Sequence, residues 1–459
     1  MGWFMAYVHL ALVGNIGSGK SDVSLYFNGD HPEIKSELPQ VIQELSRGGG
    51  IIALKEAVED DPNLITFYDE LKTPKTSIEI EEGFLRSRVE QQEIIQESQG
   101  FVIEERPPWE GARVFVPAIC EQGKLSSEDL KKYERLYKSL LHRMQIPTLI
   151  AYIRVSDVNV LLERIKRRGK EYERNINPEH LIALNKKYED LFHSPEGRKR
   201  LFDELGFRDV PIIEIDANID FRDDKEYFKK CVDQILAALL KRRKMKIGFV
   251  GTHGSGKTYL VSRIHAEIIR EGINSDIVKE VSRILPRGFE VNRFTTPDAQ
   301  EHILRTQINK EVEAMLMSEI VVCDRITLDN YAYYVRRFGR REGVEQMLRR
   351  HLLEEPYDFI FKVPPIGPLV DDGFRDAQDL AFQRDIDRLV DKLMARFMPT
   401  LAQAGTKYIK LKTDTLNRDN IFPPTDPRHR DPWVYFVLNK IMTKFRMLRN
   451  YGSNEVKNG

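Results

Sequence analysis

Short apolar runs of strand length, separated by longer stretches of mixed polarity, organise the chain. Residues 7–13, 50–54, 100–104, 148–155 and 211–216 form one series of such runs. Residues 246–250, 275–281, 319–324, 357–363 and 407–412 form a second. The stretches between them, including residues 22–27, 224–240 and 259–269, carry apolar positions at helical spacing. Strands alternating with helices predict a parallel sheet covered on both faces, because a parallel connection has to cross the sheet. The alternation runs twice, so the expected fold class is α/β, with two tandem domains, each a parallel sheet covered by helices. Their expected limits are residues 1–240 and 247–416, joined by a basic linker at 241–246 and followed by a tail at 417–459.

Composition fits this division and sharpens it. A chain of 459 residues has room for two or three domains, and 41% hydrophobic with 31% charged residues is ordinary for a globular protein. The formal charge of zero hides a segregation. Residues 1–240 carry 33 basic and 42 acidic side chains and residues 241–459 carry 38 and 29, so the two halves present different surfaces. Cys120, Cys231 and Cys323 lie about a hundred residues apart, which suits neither a metal site nor a disulfide framework and suggests a reducing, cytoplasmic setting. No apolar run approaches the roughly 18 residues of a membrane helix, so no membrane span is expected. Residues 1–13 read as a first strand and not as a signal.

Two loops carry the chemistry. The pattern G-x-x-x-x-G-K-[ST] occurs as Gly14, Asn15, Ile16, Gly17, Ser18, Gly19, Lys20 and Ser21. It recurs as Gly251, Thr252, His253, Gly254, Ser255, Gly256, Lys257 and Thr258. Each follows a predicted strand and opens a predicted helix, where glycines let backbone N–H groups approach phosphate oxygens and the helix N-terminus favours negative charge. Lys20 and Lys257 then reach the β- and γ-phosphates of ATP, and the hydroxyls of Ser21 and Thr258 hold Mg²⁺.

Further motifs follow the first loop in order. Glu56 ends the second predicted strand, Glu105 and Arg106 end the third, and Arg164, Arg167, Arg168 and Lys170 follow the fourth. Over about residues 8–240 this set resembles the deoxynucleoside kinase family. The resemblance implies ATP- and Mg²⁺-dependent phosphorylation of a deoxynucleoside 5′-hydroxyl, with Glu56 as general base. It implies that Glu105 and Arg106 together help to bind Mg²⁺ and to hold the base and the reacting phosphate, and that Arg164, Arg167, Arg168 and Lys170 close over the phosphates of ATP. Tyr68 and Glu173 fall where the family holds the sugar 3′-hydroxyl. Two departures stand out. Pro107 replaces a serine, and Glu81 replaces the glutamine that pairs with the base. An ionised Glu81 only accepts hydrogen bonds, so it favours a base edge rich in N–H donors and disfavours thymine.

The second half has Glu280 and Arg283 after its second strand, Asp324 and Arg325 closing its third, and Arg375 and Arg384 further on. Over about residues 245–415 this resembles kinases of the nicotinamide riboside type and, more distantly, thymidylate kinases. That likeness implies Mg²⁺ at Thr258 and Asp324, an acceptor at Glu280, Arg283 and Arg325, and lid arginines at Arg375 and Arg384. The tandem suggests successive phosphorylation of a nucleoside and its monophosphate. Small-molecule substrates are the expected partners, a homodimer is compatible, and nucleic acid is not required.

Plain structural alternatives accompany these readings. Glu105–Arg106 and Asp324–Arg325 suit strand-end ion pairs, the lid suits a basic surface helix, and Glu81 suits a helix surface. The competing functional class is a regulatory or nucleic-acid-associated ATPase with a non-kinase second domain. Residues 433–451, basic and amphipathic, suit a helix packed on its own domain, with RNA, an anionic membrane or another subunit as the alternative.

Overall fold

In the computed structural model, residues 8–34, 45–46, 50–56, 63–71, 73, 75–98, 100–173, 176–206, 210–281, 295–365, 380–413 and 430–449 are described. The chain divides into two compact units that meet in sequence between Arg242 and Arg243. Among the described residues each unit has one sheet of five strands. The first contains β1 (Val8–Val13), β2 (Ile51–Leu54), β3 (Phe101–Glu105), β4 (Leu149–Arg154) and β5 (Ile212–Asp216). The second contains β6 (Met245–Val250), β7 (Ser275–Val278), β8 (Ile320–Cys323), β9 (Phe359–Lys362) and β10 (Lys407–Lys410).

Both sheets are parallel and share one order. β2-β3-β1-β4-β5 in the first is matched by β7-β8-β6-β9-β10 in the second. The first strand of each half is therefore central. Leu10 stands opposite both Ile103 and Leu149, and Ile247 opposite both Val322 and Phe359. Central strands covered on both faces are apolar almost throughout: Leu10 to Val13 are fully buried, as are all six residues of β6. This order places the ends of β1, β3 and β2 side by side, and the ends of β6, β8 and β7 likewise, so residues distant in sequence converge beside each glycine loop.

The basic stretch at 241–246 does not form a solvated linker. The preceding helix runs from Lys225 to Arg242 and β6 begins at Met245. Arg243 is buried 2.6 Å from Asp358, and the Lys246 ammonium is fully buried 2.9 Å from Glu311. Burying a cation costs free energy that a neighbouring carboxylate offsets, which is why these two residues sit on carboxylates and not in water.

The tail helix, Asp431–Arg449, packs on its own unit. Trp433, Val434, Val437, Ile441, Phe445 and Leu448 are buried, and the Trp433 indole donates to the Lys412 carbonyl at 2.9 Å. Its basic side chains also have local partners. Lys444 lies 3.1 Å from Asp358, Arg446 2.9 Å from Glu271, and Arg449 2.9 Å from Glu319. Cys120, Cys231 and Cys323 are free thiols. Among the described residues no helix is long and apolar enough to cross a membrane.

Candidate functional site

Both glycine loops adopt the same geometry for the same reason. The first glycines have φ 149° at Gly14 and 150° at Gly251, followed by positive φ at Gly17, Gly19, Gly254 and Gly256. A Cβ on Gly14 would lie 2.4 Å from the Ile153 carbonyl oxygen, and one on Gly251 2.5 Å from that of Val363. Any side chain there would separate the loop from the neighbouring strand. Each lysine then crosses its loop. Lys20 Nζ donates to the carbonyls of Gly14 (2.7 Å) and Asn15 (2.9 Å), and Lys257 Nζ to those of Gly251 (2.6 Å) and Thr252 (2.7 Å). Burial, with the nearby Arg106 or Arg325, lowers both ammonium groups to about 8.

The hydroxyl next to each lysine meets a carboxylate at the end of the third strand. Ser21 Oγ donates to Glu105 at 2.7 Å and Thr258 Oγ1 to Asp324 at 2.7 Å. Burial raises both carboxyl groups above the usual range, as expected where a carboxylate lacks enough nearby positive charge. A hydroxyl and a carboxylate are hard oxygen donors that fit Mg²⁺, which binds through one or two protein oxygens plus phosphates and water. Among the described residues no group of three or more acidic, cysteine or histidine side chains is arranged to hold a metal ion.

Beside the loops, the correspondence reaches individual ion pairs. Glu56, after β2, lies 2.7 Å from Arg106 Nε, and Glu280, after β7, lies 2.9 Å from Arg325 Nε. Each arginine also faces a carboxylate one helical turn on, Glu110 at 3.9 Å and Asp329 at 3.1 Å. Each guanidinium lies over an aromatic ring as well, Phe115 at 4.2 Å and Tyr333 at 5.1 Å. Arg106 alone among the described non-glycine residues has positive φ, 59°, with its N–H bonded to the Leu12 carbonyl at 3.2 Å.

In the first half this corner opens on a cavity of about 480 Å³ lined by Lys20, Glu56, Tyr68, Glu81, Arg106 and Glu173, among others. Glu56 also takes a hydrogen bond from Arg88 at 3.1 Å. Burial alone would raise its pKa, but Arg106 and Arg88 outweigh that and hold it at about 2. The Tyr68 hydroxyl donates to Glu173 at 3.3 Å, and Arg168 holds the other carboxylate oxygen. The alternative of a basic surface helix fails for Arg164, which is largely buried and donates to the carbonyls of Ser18 (3.2 Å) and Ala217 (2.6 Å). Arg167 instead pairs with Asp220 and Asp223 at the surface.

Glu81 is not on a helix surface. It is 2% exposed, lines the cavity on the helix Ile78–Glu97, and burial pushes its carboxyl up to about 7. Near neutral pH it is therefore partly protonated, so the acceptor-only behaviour expected of an ionised carboxylate does not hold. Asn15 serves the scaffold: its amide donates to the Leu181 carbonyl and to Asn185, and its oxygen accepts from the Ile16 N–H. In the second half Arg384 is exposed, whereas its buried neighbour Gln383 donates to the His253 carbonyl of the loop at 2.8 Å. Arg283 and Arg375 lie outside the described residues.

Several site residues are not evident from the motifs. Arg88 braces Glu56, and Glu110 accepts from the Gly14 N–H at 2.9 Å and from Tyr188. Asp329 braces Arg325. Carboxylates four residues after Arg106 and Arg325 in both halves are the signal that would have found Glu110 and Asp329.

Phosphate loops with paired lysine, hydroxyl and carboxylate groups, set beside a cavity at parallel strand ends, define a phosphotransferase of the phosphate-loop class. Comparison with known proteins places the first half more narrowly. It matches the deoxynucleoside kinase family model over residues 10–241, and the chain belongs to that family. Residues 246–418 match the model of an AAA domain, which specifies no phosphate acceptor. The deoxyguanosine kinase of Bacillus subtilis (strain 168) is 30% identical over 180 residues, 39% of this chain and 76% of that protein. The deoxyadenosine/deoxycytidine kinase of the same organism is 22% identical, with 51% and 94% covered. The deoxyadenosine kinase of Dictyostelium discoideum is 30% identical, with 40% and 66% covered. A solved structure of deoxyadenosine kinase from M. mycoides with bound dATP aligns at TM-score 0.38 and 22% identity, covering 50% of this chain and 99% of that one.

Proposed function

We propose that the first half transfers the γ-phosphoryl group of ATP to the 5′-hydroxyl of a purine deoxynucleoside held in the 480 Å³ cavity. The observation that carries this reading is Glu56, fixed 2.7 Å from Arg106 and 3.1 Å from Arg88 on the wall that the cavity shares with Lys20. A carboxylate so placed accepts the hydrogen bond of the attacking hydroxyl and aims its oxygen at the loop. With a pKa of about 2 it is a weak base, so its main contribution is orientation. It takes the proton late, as the new P–O bond forms, which suits a loose phosphoryl-transfer transition state.

Lys20 and Arg106 supply positive charge where the transferring group passes, and Arg164 and Arg168 do so from the lid side. Ser21 and Glu105 would hold Mg²⁺, which neutralises phosphate charge when bound. Tyr68 and Glu173 would take the sugar 3′-hydroxyl. Glu81 would read the base; all three relatives above are named for a purine deoxynucleoside, one of them for deoxycytidine as well, which supports a purine acceptor. In the second half, Lys257, Thr258 and Asp324 would bind a second nucleoside triphosphate with Mg²⁺. The AAA-domain match supports that reading without fixing an acceptor.

Labelled ATP offered with each deoxynucleoside tests the proposal. Transfer of label to deoxyguanosine or deoxyadenosine, lost in Glu56→Ala, is expected. Transfer that survives Glu56→Ala unchanged refutes the assigned site.

A further inference from the structure

The second glycine loop is touched by a residue that no motif contains. Arg430 immediately precedes the helix Asp431–Arg449 and is 7% exposed. Its Nε donates to the Ser255 carbonyl at 3.1 Å. A Cβ on Gly256 would lie 2.1 Å from that same nitrogen, so the guanidinium lies flat against the loop just before Lys257.

The first half distributes the same two contacts over two residues. Ser18, the counterpart of Ser255, has its carbonyl bonded by Arg164, and Gly19, the counterpart of Gly256, is covered by the ring of Phe221. There the arginine has a carboxylate partner, Asp220, at 3.2 Å. Arg430 meets no carboxylate among the described residues. The adjacent Asp431 is bonded by the Tyr259 hydroxyl at 2.6 Å. A buried guanidinium without a counter-charge costs free energy that a bound anion recovers. Its planar fork offers in-plane donors to phosphate oxygens and a face to a base.

Arg430 is also the end of a mechanical connection. Asp431 ties the start of its helix to Tyr259, two residues after Lys257, and Trp433, two residues after Asp431, is fully buried. We propose that Arg430 contacts a nucleoside triphosphate bound at the second loop, and that this contact fastens the helix Asp431–Arg449 to the domain. The proposal rests on reading Gly251 to Thr258 as a nucleotide loop. It adds a residue and a coupled element to that reading.

Hydrogen exchange on the full chain, read by mass spectrometry with and without ATP and Mg²⁺, separates the two claims. In the wild-type protein ATP should slow exchange both in residues 251–258 and in residues 431–449, the latter by about tenfold. Arg430→Gln, which keeps a donor for the Ser255 carbonyl and removes the charge, should lose the protection of the helix. It should also need about tenfold more ATP to protect the loop, the size of one charge-assisted hydrogen bond. Unchanged exchange of β6 and β9 in that variant shows that the domain is folded. If ATP protects the wild-type loop but leaves residues 431–449 unchanged, the coupling is wrong, and this result needs no variant. If Arg430→Gln matches wild type in both segments, the contact is wrong. If ATP protects neither segment, the nucleotide-loop reading fails and the proposal with it.

Discussion

The two halves of this chain build the same corner twice and differ in what surrounds it. Strand order, loop dihedrals, lysine contacts, the hydroxyl–carboxylate pair and the carboxylate–arginine pair correspond one for one. In the first half a second arginine, Arg88, joins Glu56, and the corner faces a cavity shared with Tyr68, Glu81 and Glu173. In the second half Arg325 is held between Glu280 and Asp329, and Arg430 from the tail lies on the loop. The comparison teaches that a phosphate loop with its arginine braces is a transferable scaffold, whereas the acceptor is chosen by the walls built around it.

The largest expected effect separates the halves outright. Lys20→Ala should lower deoxynucleoside phosphorylation by about 10²–10³-fold, because it removes a preorganised cation from the transferring phosphate. Lys257→Ala should leave that rate within about twofold. Measuring label transfer by both variants checks this. Equal losses would mean that the two loops serve one reaction, and the comparison would break.

Next in size is the brace on the acceptor carboxylate. Arg88→Met leaves Glu56 with Arg106 alone, so its carboxyl should rise from about 2. Loss of hydroxyl positioning should lower kcat by about tenfold or more, with a smaller change in KM for ATP. Steady-state kinetics decides. A change confined to the KM for ATP would show that Arg88 serves the donor and not the acceptor.

Much of this was legible in sequence because it is local. The strands announce themselves as short apolar runs, and the glycine loops are marked by a residue spacing that local backbone geometry dictates. Glu56, Glu105, Arg106 and Asp324 were legible as residues at strand ends. What the sequence could not show depends on burial and on contacts made at long range. Arg243 and Lys246 look like a solvated basic stretch until Asp358 and Glu311 are brought over them. Arg430 reaches the second loop across 175 residues, and no periodicity encodes that approach. Glu81 was identified as a base reader by resemblance, but its protonation follows from desolvation, which only the packed cavity reveals.

Glu81 gives the next prediction. Its pKa of about 7 lies above the ordinary 4.5, so between those values the folded protein holds a proton that the unfolded chain has lost. Stability therefore falls as pH rises through that window, by about 3 kcal/mol at most. Glu81→Gln should remove this slope, gaining little at pH 5 and most at pH 8 in chemical denaturation of the first unit. Selectivity should move with it. An ionised carboxylate accepts from the two N–H donors of guanine, whereas the protonated acid both donates and accepts, as adenine requires. The ratio of kcat/KM for deoxyguanosine over deoxyadenosine should rise by up to about a hundredfold from pH 6 to pH 8, following the ratio of ionised to protonated Glu81, and Glu81→Gln should make it flat. A pH-independent ratio in the wild type would remove Glu81 from base reading.

The smallest effect, that of Arg446→Ala, is set against a larger one in the same helix and tests how the tail is fastened to the second half. Its apolar side is buried, Trp433 fully, so Trp433→Ala should destabilise that unit by about 3–5 kcal/mol while leaving the first unit's unfolding unchanged. Arg446 lies 2.9 Å from Glu271, but the two side chains are 61% and 44% exposed, so solvent and salt screen the pair. Arg446→Ala should cost under about 0.5 kcal/mol at low salt and less at high salt. Denaturation of the paired variants at two salt concentrations measures both. A cost above about 2 kcal/mol for Arg446→Ala would show that charge, and not the apolar face, holds the helix. The tail would then be the point at which the second half departs furthest from the first.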